Sequence, residues 1–168
     1  MKWKAISSMK VKRETLENGN VLRALVEQFT NDKSQQKFVA VLRCLRDSYI
    51  WIPCNMIISD TDEEKFIHAK KGDTISTDNE IRLVPDILQN GEVYFLPVFS
   101  NCEQMGEDYG NHFNKIENHF FEAMSLAMAK ENVTGIVLDA FSQSFVIDKE
   151  LFESIGNIPT NIEEEADK

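Results

Sequence analysis

Cysteine, histidine and proline are all scarce here, with three, three and four copies in 168 residues. Cys44, Cys54 and Cys102 lie far apart and form no CxxC pair. An odd, scattered set argues against a disulfide framework and suits a reducing compartment. Long apolar runs are missing as well. The best stretch, residues 49–58, falls short of the roughly 18 residues of a membrane span and is interrupted by Pro53 and Asn55. The N-terminus is basic but lacks an apolar segment of signal-peptide length behind it. The expected location is therefore the cytoplasm, without membrane contact.

Signatures of catalysis are absent too. Neither a GxxxxGK[ST] nor a GxGxxG phosphate cradle occurs, and there is no GxSxG nucleophile turn. His112 and His119 stand seven apart, and no HExxH or i, i+4 histidine pair accompanies them. Residues 60–64 resemble the start of a calcium loop, but Lys65 stands where that loop needs Gly and Lys71 where it needs Glu. The expectation is a non-enzyme with no cofactor and no metal.

Positive charge is scarce in a particular way. The net charge is -10, yet five of the 18 basic residues (Lys2, Lys4, Lys10, Lys12 and Arg13) precede the first acid, Glu14. The remainder sets 13 basic against 28 acidic residues, a charge of -15. Such a body repels phosphate backbones, so nucleic acid is not an expected partner. A basic protein is the electrostatically favoured one, although surplus acid also serves solubility.

What is present is enough for one domain. Hydrophobic residues make up 42%, and 11 Phe supply large buried area. Leu22, Leu25, Val26 and Phe29 repeat at helical spacing, capped by Asn18 or Asn20; Phe38, Val41, Leu42 and Leu45 predict a second helix capped by Ser34. Residues 49–54 read as a strand, at an edge or ending at Pro53, because proline cannot donate to a ladder. A polar stretch over 59–80 predicts a loop or a short helix around 63–69. The apolar runs 81–88 and 93–99 flank Asn90-Gly91, a hairpin signal. Ser100-Asn101 opens a short helical stretch, and Phe113, Ile116, Phe120, Met124 and Ala127 predict a longer helix over 112–130. Strands are expected within 134–141 and over 144–147, with Asp148 capping a last short helix. The predicted organisation is a basic, weakly ordered arm (1–14), one domain (15–158) and an acidic solvated tail (159–168). Its class is α+β, a mixed or mainly antiparallel sheet packed with helices.

Cys102 is the one nucleophile with a mechanism: it follows a strand and begins a helical stretch, where the helix dipole lowers a thiol pKa. His112 or His119 is the base such chemistry would need. Asp139 ends an apolar strand, and carboxylates there project into clefts or form turns. Loops on a rigid scaffold carry function, so the candidate binding residues are Phe99, Ser100, Asn101, Asp139 and Phe141.

Two segments resemble a known family. Residues 93–100, Val-Tyr-Phe-Leu-Pro-Val-Phe-Ser, are similar to the strand and Pro-Val-Phe-Thr/Ser motif of the SseB N-terminal domain family. Residues 135–147, Gly-Ile-Val-Leu-Asp-Ala-Phe-Ser-Gln-Ser-Phe-Val-Ile, resemble its later strand pair. The helix over 38–45 running into a strand that reaches Pro53 is also similar, so the resemblance spans about residues 20–156. Asp139-Ala140 stands where many members carry Asn-Pro. The resemblance implies an α/β domain of bacterial origin with no established reaction, with relatives in secretion-linked and toxin-neighbouring settings. The leading functional expectation is a non-catalytic interaction or regulatory module with an acidic surface. Its rivals are a small-ligand sensor or enzyme with a pocket near Phe99, Cys102, Asp139 and Phe141, an immunity-type inhibitor of a basic toxin, and a homodimer paired through the strand edge near Pro53.

Overall fold

The structure, a computed structural model, describes residues 10–72, 74 and 81–163. The first nine residues of the expected arm, most of 73–80 in the expected loop, and the last five residues of the expected tail lie outside these.

The helices α1 (Asn20–Asn31), α2 (Gln35–Arg46), α3 (Asp60–Ile67), α4 (Glu107–Gly110), α5 (Phe120–Met128) and α6 (Phe152–Gly156) accompany seven strands. The strands are β1 (Tyr49–Ile57), β2 (Arg82–Pro85), β3 (Leu88–Asn90), β4 (Val93–Val98), β5 (Asn114–His119), β6 (Val133–Leu138) and β7 (Phe145–Asp148). They form an antiparallel sheet in the order β2-β1-β5 and a mixed sheet in the order β3-β4-β6-β7, in which β4 and β6 run parallel. The domain is α+β, and both sheets share one core.

That core follows from periodicity. On β1, Ile50, Ile52 and Cys54 alternate inward and are buried. On β6, residues 135–138 are all buried because the strand is interior. Gly135 is required there, since a Cβ would strike the Ile147 carbonyl of β7. The apolar faces of α1 and α2 join this core, and Phe29, Phe38 and Phe145 pack with ring centroids 5.6–5.8 Å apart. Ser34 caps α2 by accepting the Lys37 N–H at 3.3 Å, as its sequence position predicts.

Four expectations change. Neither Asn18 nor Asn20 caps α1: Gly19, in the left-handed region, precedes the helix with no side-chain cap, and Asn20 Oδ1 accepts from Arg23 instead. Pro53 does not end β1 or mark an edge, because β1 lies between β2 and β5. Trp51 exchanges both backbone hydrogen bonds with Phe99 (2.8 and 2.9 Å), and on the same side the Pro53 carbonyl accepts the Asp86 N–H at 2.9 Å. The missing proline donor thus falls where β1's neighbour changes from Phe99 to β2. Consequently the edge invoked for a homodimer is covered at Pro53. Residues 114–119 are strand β5 rather than the first part of a helix, and α5 starts only at Phe120. Asp148 makes no side-chain cap; a 3-10 turn, Lys149–Leu151, leads into α6 instead.

The two ends of the described chain meet. Val11 bridges Ile162, and the buried Asp47 carboxylate accepts from Thr160 Oγ1 (2.6 Å) and Asn161 N–H (2.9 Å).

Candidate functional site

The chain leaves β4 and β6, which run parallel and side by side, at the same end of the mixed sheet. There the segment after Phe99 and the turn after Leu138 come together. Asp139 joins them. Its carboxylate is 2% exposed and accepts the Ser100 N–H on Oδ1 (2.9 Å) and the Ser100 hydroxyl on Oδ2 (2.7 Å). Its own N–H donates to the Val98 carbonyl at 3.0 Å, and its φ of 49° turns the chain out of β6. Burial raises the Asp139 pKa above the ordinary carboxylate value, although the two Ser100 hydrogen bonds and the Arg23 cation pull the other way.

A third strand of chain closes the joint. Asn18 and Gly19 both have positive φ (62° and 68°), and Gly19 lies against Ser100 so closely that a Cβ would come within 2.6 Å of Ser100 Cβ and O. Asn101 donates from Nδ2 to the Asn18 carbonyl at 3.0 Å while its Oδ1 accepts the Gln104 N–H, capping the 3-10 turn Cys102–Met105.

Outward from this joint lies an aromatic stack. Phe99 is fully buried, whereas Phe141 is 53% exposed. Phe141 rests on Tyr109 (4.9 Å between centroids) and Phe99 (5.9 Å), and Tyr109 contacts Phe113 at 4.7 Å. The Tyr109 hydroxyl donates to Asp86 Oδ2 at 2.6 Å. Burial, then the acceptor Asp86, raises its pKa, so the phenol keeps its proton and the ring is held in place. The Ser142 hydroxyl donates to Gln104 Oε1 at 2.7 Å, tying the loop that carries Phe141 to the segment 102–110, whose Glu103, Glu107 and Asp108 are exposed.

Of the candidate residues, then, Ser100, Asn101 and Asp139 build the joint, Phe99 is the floor of the stack and Phe141 is its exposed tip. Gly19, Arg23, Gln104, Tyr109 and Ser142 belong to the same region and were not singled out. The Asn18-Gly19 pair, a turn signal in its own right, was the legible clue. Cys102 is partly buried and its pKa is raised by burial; the charges acting on it are those of Lys115 and Glu117. His112 is exposed, and His119 is engaged elsewhere, accepting the Phe121 N–H on Nδ1 at 3.1 Å. Among the described residues no three His, Cys, Asp or Glu are grouped to hold a metal, and no helix is long and apolar enough to cross a membrane.

A family model described as SseB protein N-terminal domain matches residues 22–153, which include both loops of this region. No curated protein and no solved structure matches the chain.

Proposed function

The chain belongs to the SseB protein N-terminal domain family, and from that premise we propose that it is a non-catalytic interaction module whose docking face surrounds Phe141 and receives a basic protein. The observation that carries this reading is a half-exposed aromatic ring held rigidly on Tyr109 and Phe99, on a loop fastened to a segment with three exposed carboxylates. Pre-ordered aromatic anchors lose little entropy on binding. Surrounding carboxylates steer a basic surface and set register more than they add affinity. The -15 charge of residues 14–168 extends that steering over the molecule. A basic toxin is one partner that would fit. Three free cysteines, two of them buried, suit the cytoplasm.

The test uses two variants. Phe141→Ala should weaken the partner by about ten-fold or more through a slower-forming or faster-leaving complex, as expected for an anchor residue. Joint replacement of Glu103, Glu107 and Asp108 by Lys should mainly slow association and flatten its salt dependence. Unchanged kinetics in both variants, with the fold intact by circular dichroism, would remove the face from the reading.

A further inference from the structure

β5 is the outermost strand of the antiparallel sheet and lies outside the two loops that build the docking face. Among the described residues its outer edge is open. Trp51 of β1 exchanges both backbone hydrogen bonds with Phe99, so Glu117, which stands opposite Trp51 on β5, turns its N–H and C=O away from β1. Lys115 does the same, because it stands opposite Pro53, whose carbonyl accepts from Asp86. These outward groups have no partner among the described residues. The side chains of Lys115 and Glu117 are exposed, share one face of the sheet and make no ion pair among the described residues. Ile116, between them, packs against the core on the other face and is only partly buried. Such an edge is a template for a further strand.

We infer that β5 pairs antiparallel with β5 of a second copy of the chain, about a two-fold axis at Ile116, joining the two antiparallel sheets into one. A two-fold ladder is defined by the residue that meets its own copy. Centred on Lys115, it sets two ammonium groups opposite each other; centred on Glu117, two carboxylates. Centred on Ile116, Lys115 faces the partner's Glu117 and Glu117 faces the partner's Lys115. Both ion pairs then form, and the outward N–H and C=O groups of these residues are exchanged. On the other face Ile116 meets its own copy, and Asn114 stands opposite the partner's Asn118, amide to amide. Opposite charges across a ladder stabilise it and like charges destabilise it, so the order Lys-Ile-Glu selects one register. A strand of other sequence leaves these charges unmatched, which favours the chain's own copy as the occupant. One short ladder is a small interface and each chain is acidic, so half-dissociation is expected on the order of 100 µM.

Sedimentation equilibrium of the full chain, from about 10 µM to about 1 mM at roughly 0.15 M salt, reads the assembly directly. The native chain should pass from monomer to dimer across that range. Glu117→Lys sets lysine opposite lysine, and Lys115→Glu sets glutamate opposite glutamate. Each alone should raise the dissociation constant about ten-fold or more. An equimolar mixture of the two variants opposes Glu to Lys at both positions and should dimerise as the native chain does. The double variant Lys115→Glu/Glu117→Lys should do so as well. Recovery in the mixture separates edge pairing from a loss of fold, which circular dichroism of each single variant also checks. A monomer at every concentration, or a dimer that both single variants leave unchanged, overturns the proposal. Folded single variants whose mixture stays monomeric overturn it equally.

Discussion

Asp139 holds a left-handed backbone and an ionisable carboxyl in the same buried place, and the two demands have different consequences. Its acceptors satisfy the Ser100 N–H and hydroxyl, so Asp139→Ala leaves a buried donor unpaired as well as placing a Cβ-only residue at φ 49°. A loss of about 3 kcal/mol in urea unfolding is expected. Asp139→Asn keeps an oxygen for the Ser100 N–H, adds a donor for its hydroxyl, and favours positive φ. The ionised carboxylate is what burial penalises, so native Asp139 contributes most below the ordinary carboxylate pKa and loses that contribution as pH rises through its raised folded value. The Asn variant should therefore melt higher than the native chain at pH 7, and the gap should shrink towards pH 4. A gap independent of pH would contradict the assignment. Gly19, unlike Asp139, accepts no replacement: Gly19→Ala brings a Cβ against Ser100 at positive φ, and about 3 kcal/mol should be lost. Asp139 could be singled out from its place at a strand end; the approach of Gly19 to Ser100 could not, because it joins positions 81 residues apart.

At the scale of the element, helix periodicity was legible wherever a helix packs one face on the core, and α1 and α2 lie where their apolar spacing puts them. The segment 112–119 shows what periodicity misses. Phe113 and Ile116 fit a helical stripe with Phe120, but β1 offers an unfilled ladder on its other side, and residues 114–119 pair with it from Cys54 to Tyr49. Tertiary pairing overrides local pattern in such a short stretch. His119 marks the change, since its Nδ1 caps α5 and must be unprotonated to do so. Burial, then the nearby Arg46 cation, lowers its pKa, with Arg13 adding to this while Asp47 and a backbone hydrogen bond at Arg46 oppose it. A lowered imidazole favours the neutral form in the fold, so the cap's stabilisation is complete above the ordinary value of about 6.5 and is lost as pH falls through the folded value. His119→Asn keeps a capping oxygen that does not titrate in that range. Melting curves between pH 7.5 and 5 should show the native chain losing about 1 kcal/mol more than the variant. Equal losses would assign the acid sensitivity to other groups.

For the whole molecule, charge was legible and its placement was not. Composition alone gives an acidic body with a basic beginning. Only the fold shows that the segment with Glu103, Glu107 and Asp108 is fastened to the loop with Phe141, and that an exposed ring sits on a buried aromatic floor. Pro53 illustrates the same limit in reverse: its missing donor was read as an edge, whereas the fold spends it at the junction of two sheets. The docking face is the central claim, and its most direct measurement is affinity purification of the tagged full chain from its source cells at low and high salt, beside Phe141→Ala. The account predicts a stoichiometric basic protein that is retained at low salt, released as salt rises, and lost from the variant. Recovery of the chain alone at both salt concentrations, or a partner held equally by native chain and variant, would contradict it.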